Sequence, residues 1–258
     1  VALLTQHIVA DAARAAGIEA PARFVEATGS TNSDLMAQGA QGAPAWTVLV
    51  AGHQEAGRGR LGREWRSSPG QSLLVSVLLR PELPPDRAPL LSLAAAVAAS
   101  QACRRAVALE VRCKWPNDLL TGEKKLGGIL PEASVRNGEL EFVVMGLGLN
   151  VSQRAQDFPE ELREAAASVA LEGGREDPAA LLEAFLTDLR DEVRGLGDRT
   201  VFRYRDVCAT LGRRVRATLS GGATLEGQAL DIGENGELFV DTSSGVERVG
   251  FGEIVHLD

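Results

Sequence analysis

Two apolar stretches of similar length, Leu126 to Val135 and Glu139 to Asn150, flank the dipeptide Asn137-Gly138. Asn-Gly supplies the positive φ that a tight hairpin requires, so the pattern predicts a long antiparallel strand pair. Pro131 lies inside the first strand and has no N–H to give to a ladder, which predicts an interruption there. Around this hairpin the periodicity alternates between helix and strand. Residues 2–16 read as a short amphipathic helix stopped by Gly17, 22–27 as a strand, and Ser30-Thr31-Asn32 as a helix start whose helix ends near Gly39. Strands follow at 47–53 and 71–79, the second interrupted only by Ser76, and then an alanine-rich helix over 90–107. Residues 109–114 look like a strand, 115–125 are turn-rich, and 178–196 repeat apolar residues at helical spacing before a second short helix through Tyr204.

From Leu211 onward the pattern changes to short alternating strands, 215–219, 224–230, 238–240 and 246–249, divided by Ser220-Gly222 and Asn235-Gly236. That texture predicts a small antiparallel barrel. The expected fold is therefore α+β: a mixed, largely antiparallel sheet packed with helices over 1–210, followed by the small barrel over 211–258.

Composition narrows the function classes. No apolar run among the 258 residues approaches the roughly 20 needed to span a bilayer, which excludes a membrane span. The N-terminal stretch carries Asp11 and Arg14 and does not resemble a signal peptide, so a cytoplasmic location is expected. A net charge of -8 argues against a surface built wholly for nucleic acid. Cys103, Cys113 and Cys208 form no CxxC pair, which speaks against a disulfide framework and a zinc site. Of 27 basic residues only three are lysine, and Lys114, Lys124 and Lys125 all fall within one 12-residue stretch. Clustering of the rarer cation points to a place where a compact, mobile ammonium is needed rather than a guanidinium fork; drift in a small sample is the alternative.

Three stretches carry the chemistry. Residues 54–66 contain Arg58, Arg60, Arg63 and Arg66 against two glutamates, with Gly57, Gly59 and Gly62 between them. Such a loop suits an anion clamp, because glycine lets backbone amides approach a phosphate and arginine adds forked donors; a solvated loop is the alternative. Its G-x-G-x-x-G letters do not make a dinucleotide fingerprint, since Glu64 to Gly70 cannot open a helix on a parallel strand. Its composition favours disorder without a ligand. The second stretch, Arg112-Cys-Lys-Trp-Pro-Asn-Asp118, joins a cation, an aromatic and a Pro-fixed turn to an amide and a carboxylate. Asp118 there could bind a metal or orient an amine, or the whole could be a plain turn. Close behind, Lys125 stands near Gly127 and Gly128, where a ligand can approach the backbone, although a hairpin lysine has the same look. The third stretch, Gly146-Leu-Gly-Leu-Asn150, ends an apolar strand on an amide that could read an adenine edge or cap a turn. Ser30, Thr31 and Asn32 suit small polar ligand groups as well as capping.

Taken in order, Ser30-Thr-Asn32, Gln54 to Trp65 with its Gly-Arg-Gly-Arg core, Lys114-Trp-Pro-Asn-Asp118, Lys125-Leu-Gly-Gly-Ile-Leu130 and Gly146-Leu-Gly-Leu-Asn150 resemble the biotin protein ligases. The likeness runs from about residue 22 through the C-terminal segment, which looks like that family's SH3-like domain. It implies two half-reactions with biotin and ATP as substrates and Mg2+ as the accompanying metal: formation of biotinyl-5'-AMP, then transfer of biotin to a lysine of a biotin carboxyl carrier protein, expected to be the acetyl-CoA carboxylase subunit. It further implies that Lys125 bridges the biotin carboxylate and the α-phosphate, and that Arg58 and Arg60 close over the adenylate with Gly57 and Gly59. Ser30, Thr31, Asn32 and Gln54 would surround biotin, Trp65 and Asn150 would face the adenine, and Lys114, Asn117 and Gly128 would line the site. Asp118 would orient the incoming amine or assist the metal. Bifunctional members carry an N-terminal DNA-binding domain, and only about 20 residues precede the catalytic segment here, so no operator or other nucleic-acid binding and no membrane partner is expected. Monomers and edge-to-edge dimers both occur in the family, which leaves a homodimer open. Rival readings are lipoate ligation or octanoyl transfer, a non-catalytic biotin or adenylate sensor, and a plain anion-binding module.

Overall fold

The computed structural model describes residues 4–219, 222–250 and 252–257. Helix α1 (Gln6–Ala15) starts at Thr5, whose hydroxyl accepts from the Ile8 amide, and so begins later than its apolar pattern suggests; residues 1–3 lie outside the described region. Strand β1 (Ala22–Val25) and helix α2 (Thr31–Ala40) follow, with Ser30 as N-cap, then β2 (Val48–Ala51) and β3 (Ser72–Leu79). Helix α3 (Pro89–Ala102) opens on proline at its first position, where no intrahelical N–H is needed. It continues as a wide turn to Val107 and is closed by Ala108 in the left-handed region. Then come β4 (Arg112–Lys114), β5 (Asp118–Thr121), β6 (Lys124–Arg136), β7 (Glu139–Asn150), α4 (Pro178–Arg194) and α5 (Asp198–Val207).

The first seven strands form one sheet in the order β1-β2-β3-β7-β6-β5-β4. Only β1 and β2 run parallel, so the sheet is mixed and largely antiparallel. The β6-β7 hairpin turns at Asn137 and Gly138, both at positive φ, as the dipeptide predicts. Pro131 does not interrupt β6; it pairs with Met145 inside the ladder. The reason is positional: the β5 ladder stops at Asp118 opposite Gly128, so at Pro131 the other side of β6 has no strand to receive an N–H. Strand β5 was hidden by its context, since four residues set between two turns carry too little periodicity to show.

Every residue of β3 is buried, because helices cover both faces of the sheet at its centre. On one face lies α3, buried around nearly its whole circumference by α4, α5 and the strands. On the other face α2 covers a smaller core of Leu35, Leu49, Leu78, Phe142 and Val144. There the backbone of α2 comes so close that a Cβ on Gly39 would lie 2.6 Å from the Phe142 ring. All three cysteines are free and buried, and burial pushes the Cys103 thiol up to about 12.

Residues after α5 form a second, antiparallel sheet ordered β11-β10-β9-β8-β12, from β8 (Arg214–Leu219), β9 (Thr224–Ile232), β10 (Leu238–Thr242), β11 (Gly245–Val249) and β12 (Gly252–His256). The turn expected at Ser220-Gly222 falls partly outside the described residues. Strand β12 was not expected from the sequence, because it opens on Gly252, two residues after Gly250, and glycine carries no side chain to show the alternation. The two sheets meet at Trp115. Its backbone amide donates to Thr210 Oγ1 at 3.0 Å, and its buried indole Nε1 donates to Gly236 O at 2.9 Å, in the turn between β9 and β10. The second sheet thus grips the segment that joins β4 to β5. Trp115→Phe removes that bond and leaves both a small void and an unsatisfied carbonyl, a cost of about 2 kcal/mol. The thermal midpoint is expected to fall by about 4–8 °C; an unchanged midpoint would show that the contact carries no net energy.

Candidate active site

The first turn of α2 points its polar groups at β3. Thr31 donates from both its amide and its hydroxyl to Gln54 Oε1, at 2.8 and 2.9 Å. Asn32 donates from Nδ2 to Leu130 O at 3.0 Å and to Glu132 Oε2 at 2.8 Å. Ser76, wholly buried, stands 2.7 Å from Thr31 Oγ1 and 2.6 Å from Asn32 Oδ1. Its single proton belongs with Asn32 Oδ1, which can only accept. Ser76 was not foreseen as a site residue, yet it was visible as the one polar break in an apolar strand. Thr31, Asn32, Gln54 and Leu130, with Ser30, Arg58 and Trp65, line an inner pocket of about 350 Å3, counted with its mouth, and Ser76 braces Thr31 and Asn32 from behind that lining. Two glycines of β7 form its floor, each for a different reason. A Cβ on Gly146 would lie 2.3 Å from Asn32 Oδ1, and one on Gly148 would lie 2.8 Å from the Trp65 indole.

An outer pocket of about 870 Å3 opens beside the first, and Trp65 and Gly128 line both. Its cations are Arg60, Arg63, Lys114 and Lys125, against the carboxylates of Glu64, Asp118 and Glu253. Lys114 and Asp118 are cross-strand partners at the mouth of the β4-β5 hairpin, which is why a Trp-Pro-Asn turn sits between them. Asn117 stitches that turn to β6 by giving Nδ2 to Ile129 O and receiving the Ile129 amide on its carbonyl, at 2.9 and 2.8 Å. Lys125 is placed by its backbone, whose amide and carbonyl bond to residues 165 and 167, and its Nζ lies 2.6 Å from Asp118 Oδ1. Burial lowers the Lys114 pKa, with Asp118 opposing, and burial likewise lowers that of Arg60. Both shifts have the same first cause: cations held partly out of water.

The glycine-rich loop is tied down along its length. The Trp65 amide bonds to Gly57 O and the Gly59 amide to Arg63 O, with one tight turn at Arg60–Gly62 that places Leu61 and Gly62 at positive φ. Arg58 reaches Glu132 at 2.7 Å, Arg60 reaches Asn117 Oδ1 and Gly252 O at 3.0 Å each, and Arg63 pairs with Glu253. Composition favours disorder in this loop without a ligand, and the contacts of three of its arginines oppose the backbone entropy. Two of them end on β12, so the second sheet supplies part of the pocket wall, a contribution no motif announced.

Most sequence-predicted residues therefore converge. Ser30, Thr31, Asn32, Gln54 and Arg58 line the inner pocket, Gly59, Arg60, Lys114, Asn117, Asp118 and Lys125 the outer one, and Gly128 and Trp65 both. Gly57 lies behind the loop, where a Cβ would meet Trp65 O at 2.4 Å. Asn150 does not reach either pocket. Its Nδ2 donates to Ala167 O at 2.9 Å and its Oδ1 receives Gln153 Nε2 at 3.1 Å, so the amide ties the end of β7 to the following chain instead of facing a base. As for a metal, Asp118 is already paired with Lys125, and among the described residues no three His, Cys, Asp or Glu side chains gather as a ligand set.

Residues 24–150 match the Biotin/lipoate A/B protein ligase family, and residues 210–257 match the Biotin protein ligase C terminal domain. The chain is 37% identical over 242 residues to the biotin--[acetyl-CoA-carboxylase] ligase of Mycobacterium tuberculosis, covering 90% of this chain and 88% of that protein. It is 35% identical over 213 residues to the bifunctional ligase/repressor BirA of Bacillus subtilis, where the match takes in 80% of this chain but 65% of the longer protein. Among solved structures, a biotin protein ligase from Aquifex aeolicus in complex with biotin and ATP superposes with a TM-score of 0.75 at 26% identity, over 90% of this chain and 97% of that one. With the cleft built between two matched segments, and a ligase aligned along nine-tenths of the sequence, the chain belongs to the biotin protein ligase family.

Proposed function

We propose that the protein activates biotin with MgATP to biotinyl-5'-AMP and pyrophosphate, then transfers the biotinyl group to a lysine of a biotin carboxyl carrier domain. The observation that carries this reading is the junction of two unlike pockets at Trp65 and Gly128. The inner one offers fixed uncharged hydrogen-bonding groups and suits a small polar ring. The outer one has an excess of cations and suits a triphosphate. A carboxylate tail leaving the first pocket would enter the second beside the α-phosphate.

In the first step a carboxylate oxygen attacks the α-phosphorus and the bond to pyrophosphate breaks. Two anions must meet, so the barrier falls if cations are already in place. Lys125 and Arg60 supply them, with Lys125 spanning the carboxylate and the α-phosphate, and Arg58 and Arg60 closing the loop over the product to keep water from the mixed anhydride. In the second step the carrier's amine attacks the acyl carbon and AMP leaves with the bonding pair. Asp118, freed from Lys125 as that ammonium turns to phosphate, is placed to orient the amine and take its proton. Magnesium would enter with ATP, and the carboxylates of the outer pocket that could face it are Asp118, Glu253 and Glu64, paired in the ligand-free protein with Lys125, Arg63 and Arg66.

The catalytic unit would extend to about residue 210, and the segment 211–258 would close the nucleotide side through Gly252 and Glu253. The acetyl-CoA carboxylase carrier subunit is the proposed acceptor, by likeness to the relative named for that substrate. A cytoplasmic setting fits, since no helix among the described residues is long and apolar enough to cross a membrane. A net charge of -8 favours a ligase without repressor activity.

Incubation with biotin, MgATP and a carrier domain should add a single biotinyl group to one carrier lysine, read by mass spectrometry. Labelling with lipoate but not biotin would move the activity to the sister chemistry. Lys125→Ala should lower biotin-dependent pyrophosphate exchange by about a hundredfold or more; near-normal exchange would remove Lys125 from the first step. ATP affinity should fall on the alkaline side at a pH below the ordinary lysine value of 10.5, because burial depresses the Lys114 pKa and only the protonated form attracts phosphate. Lys114→Arg should flatten that limb, and an unaltered profile would assign it to another group.

A further inference from the structure

Glu132 belongs to no motif considered above, yet one of its oxygens ties the two halves of the inner pocket together. Its Oε2 accepts from Arg58 Nη2 at 2.7 Å and from Asn32 Nδ2 at 2.8 Å. Arg58 is on the glycine-rich loop, and Asn32 is in the pocket lining with 4% of its surface exposed. The carboxylate is on β6 beyond the point where β5 ends, on an open strand edge that α2 and the loop both approach. It also fixes the Asn32 amide. A flipped amide would set Oδ1 against Glu132 and Leu130 O, two acceptors, so Nδ2 stays on β6 and Oδ1 stays toward Ser76.

Each arginine of the loop that reaches across the cleft has a different anchor. Arg60 and Arg63 are held at the outer pocket by Asn117, Gly252 and Glu253. Arg58 is held by Glu132 at the inner pocket, where the side chains of the pair keep 44% and 25% of their surface exposed. An ion pair that keeps this much water can break and reform on the timescale of ligand exchange, whereas a fully buried pair would lock the site.

We propose that Glu132 is a positioning residue: it latches Arg58, and with it the inner end of the loop, across the mouth of the pocket and so slows escape of the activated acyl-adenylate. This deepens the proposed function and rests on it for the identity of the ligand. The latch needs no contact with the reacting atoms, so its loss should open the site without disabling the chemistry.

Glu132→Gln keeps shape and an acceptor but removes the charge. In the ligand-free protein, trypsin cleavage after Arg60 and Arg63, followed by mass spectrometry, should be about fivefold faster than in the natural protein, with an unchanged thermal midpoint. In Arg58→Gln the same bonds should be cut faster, and adding Glu132→Gln should bring little further change, as expected for two ends of one contact. With biotin and MgATP, biotinyl-adenylate should dissociate about fivefold faster, with the exchange kcat held within about threefold. Unchanged cleavage together with unchanged dissociation would overturn the latch, and so would a collapse of kcat at an unchanged dissociation rate. Absence of biotin-dependent exchange in the natural protein would instead overturn the ligase reading, and the cleavage rates alone would then decide the latch.

Discussion

Charge held partly out of water is costly unless an opposite charge meets it, and the outer pocket gathers four cations around three carboxylates. Much of the molecule serves to keep them there. Lys114 and Asp118 are locked as cross-strand partners, the backbone of Lys125 is bonded to a neighbouring segment on its open side, and the arginine loop is tied to β6 and β12. The excess of cations over carboxylates favours an anionic ligand, which a triphosphate would supply. Lys125 already has a carboxylate partner that it can exchange for phosphate, and the same exchange would release Asp118 for the second step.

The two sheets divide the labour. The seven-stranded sheet, stiffened by a helix buried nearly all round, fixes the inner pocket at its centre, where Ser76 and the glycines of β7 come within contact of α2. The smaller sheet holds the outer pocket through Trp115 and closes it through Gly252 and Glu253. Separation of a fixed ring-binding end from a loop-covered phosphate end suits a reaction whose first product must be retained and then presented to a protein. The exposed contacts are on the side that has to open, and the buried ones on the side that has to stay still.

Sequence reading reached the hairpin, the long buried helix, the antiparallel C-terminal strands and most of the cleft, for physical reasons. Asn137-Gly138 admits few conformations, an alanine-rich stretch with no polar face has to be buried, and a cluster of the rarer cation is hard to place by chance. What it missed depended on neighbours remote in sequence. Pro131 is tolerated only because β5 stops short of it, Asn150 is consumed by Gln153 and Ala167, and Glu132 and Glu253 gain meaning only once the loop arginines reach them. The loop contacts are of the same kind, since glycine content speaks for entropy while the arginine contacts that oppose it are invisible without the fold. Ser76 is the instructive exception, a polar residue in a buried strand whose position alone pointed to a partner.

The most direct test is a crystal structure with biotin and a non-hydrolysable ATP analogue bound together. The bicyclic ring is expected in the inner pocket against Thr31, Asn32 and Gln54, the phosphates against Arg60, Lys114 and Lys125, and the Lys125 ammonium turned from Asp118 toward the α-phosphate. A triphosphate bound outside the four-cation pocket, or a Lys125 still paired to Asp118 with both ligands in place, would contradict the assignment of that pocket as the site where the two anions are joined.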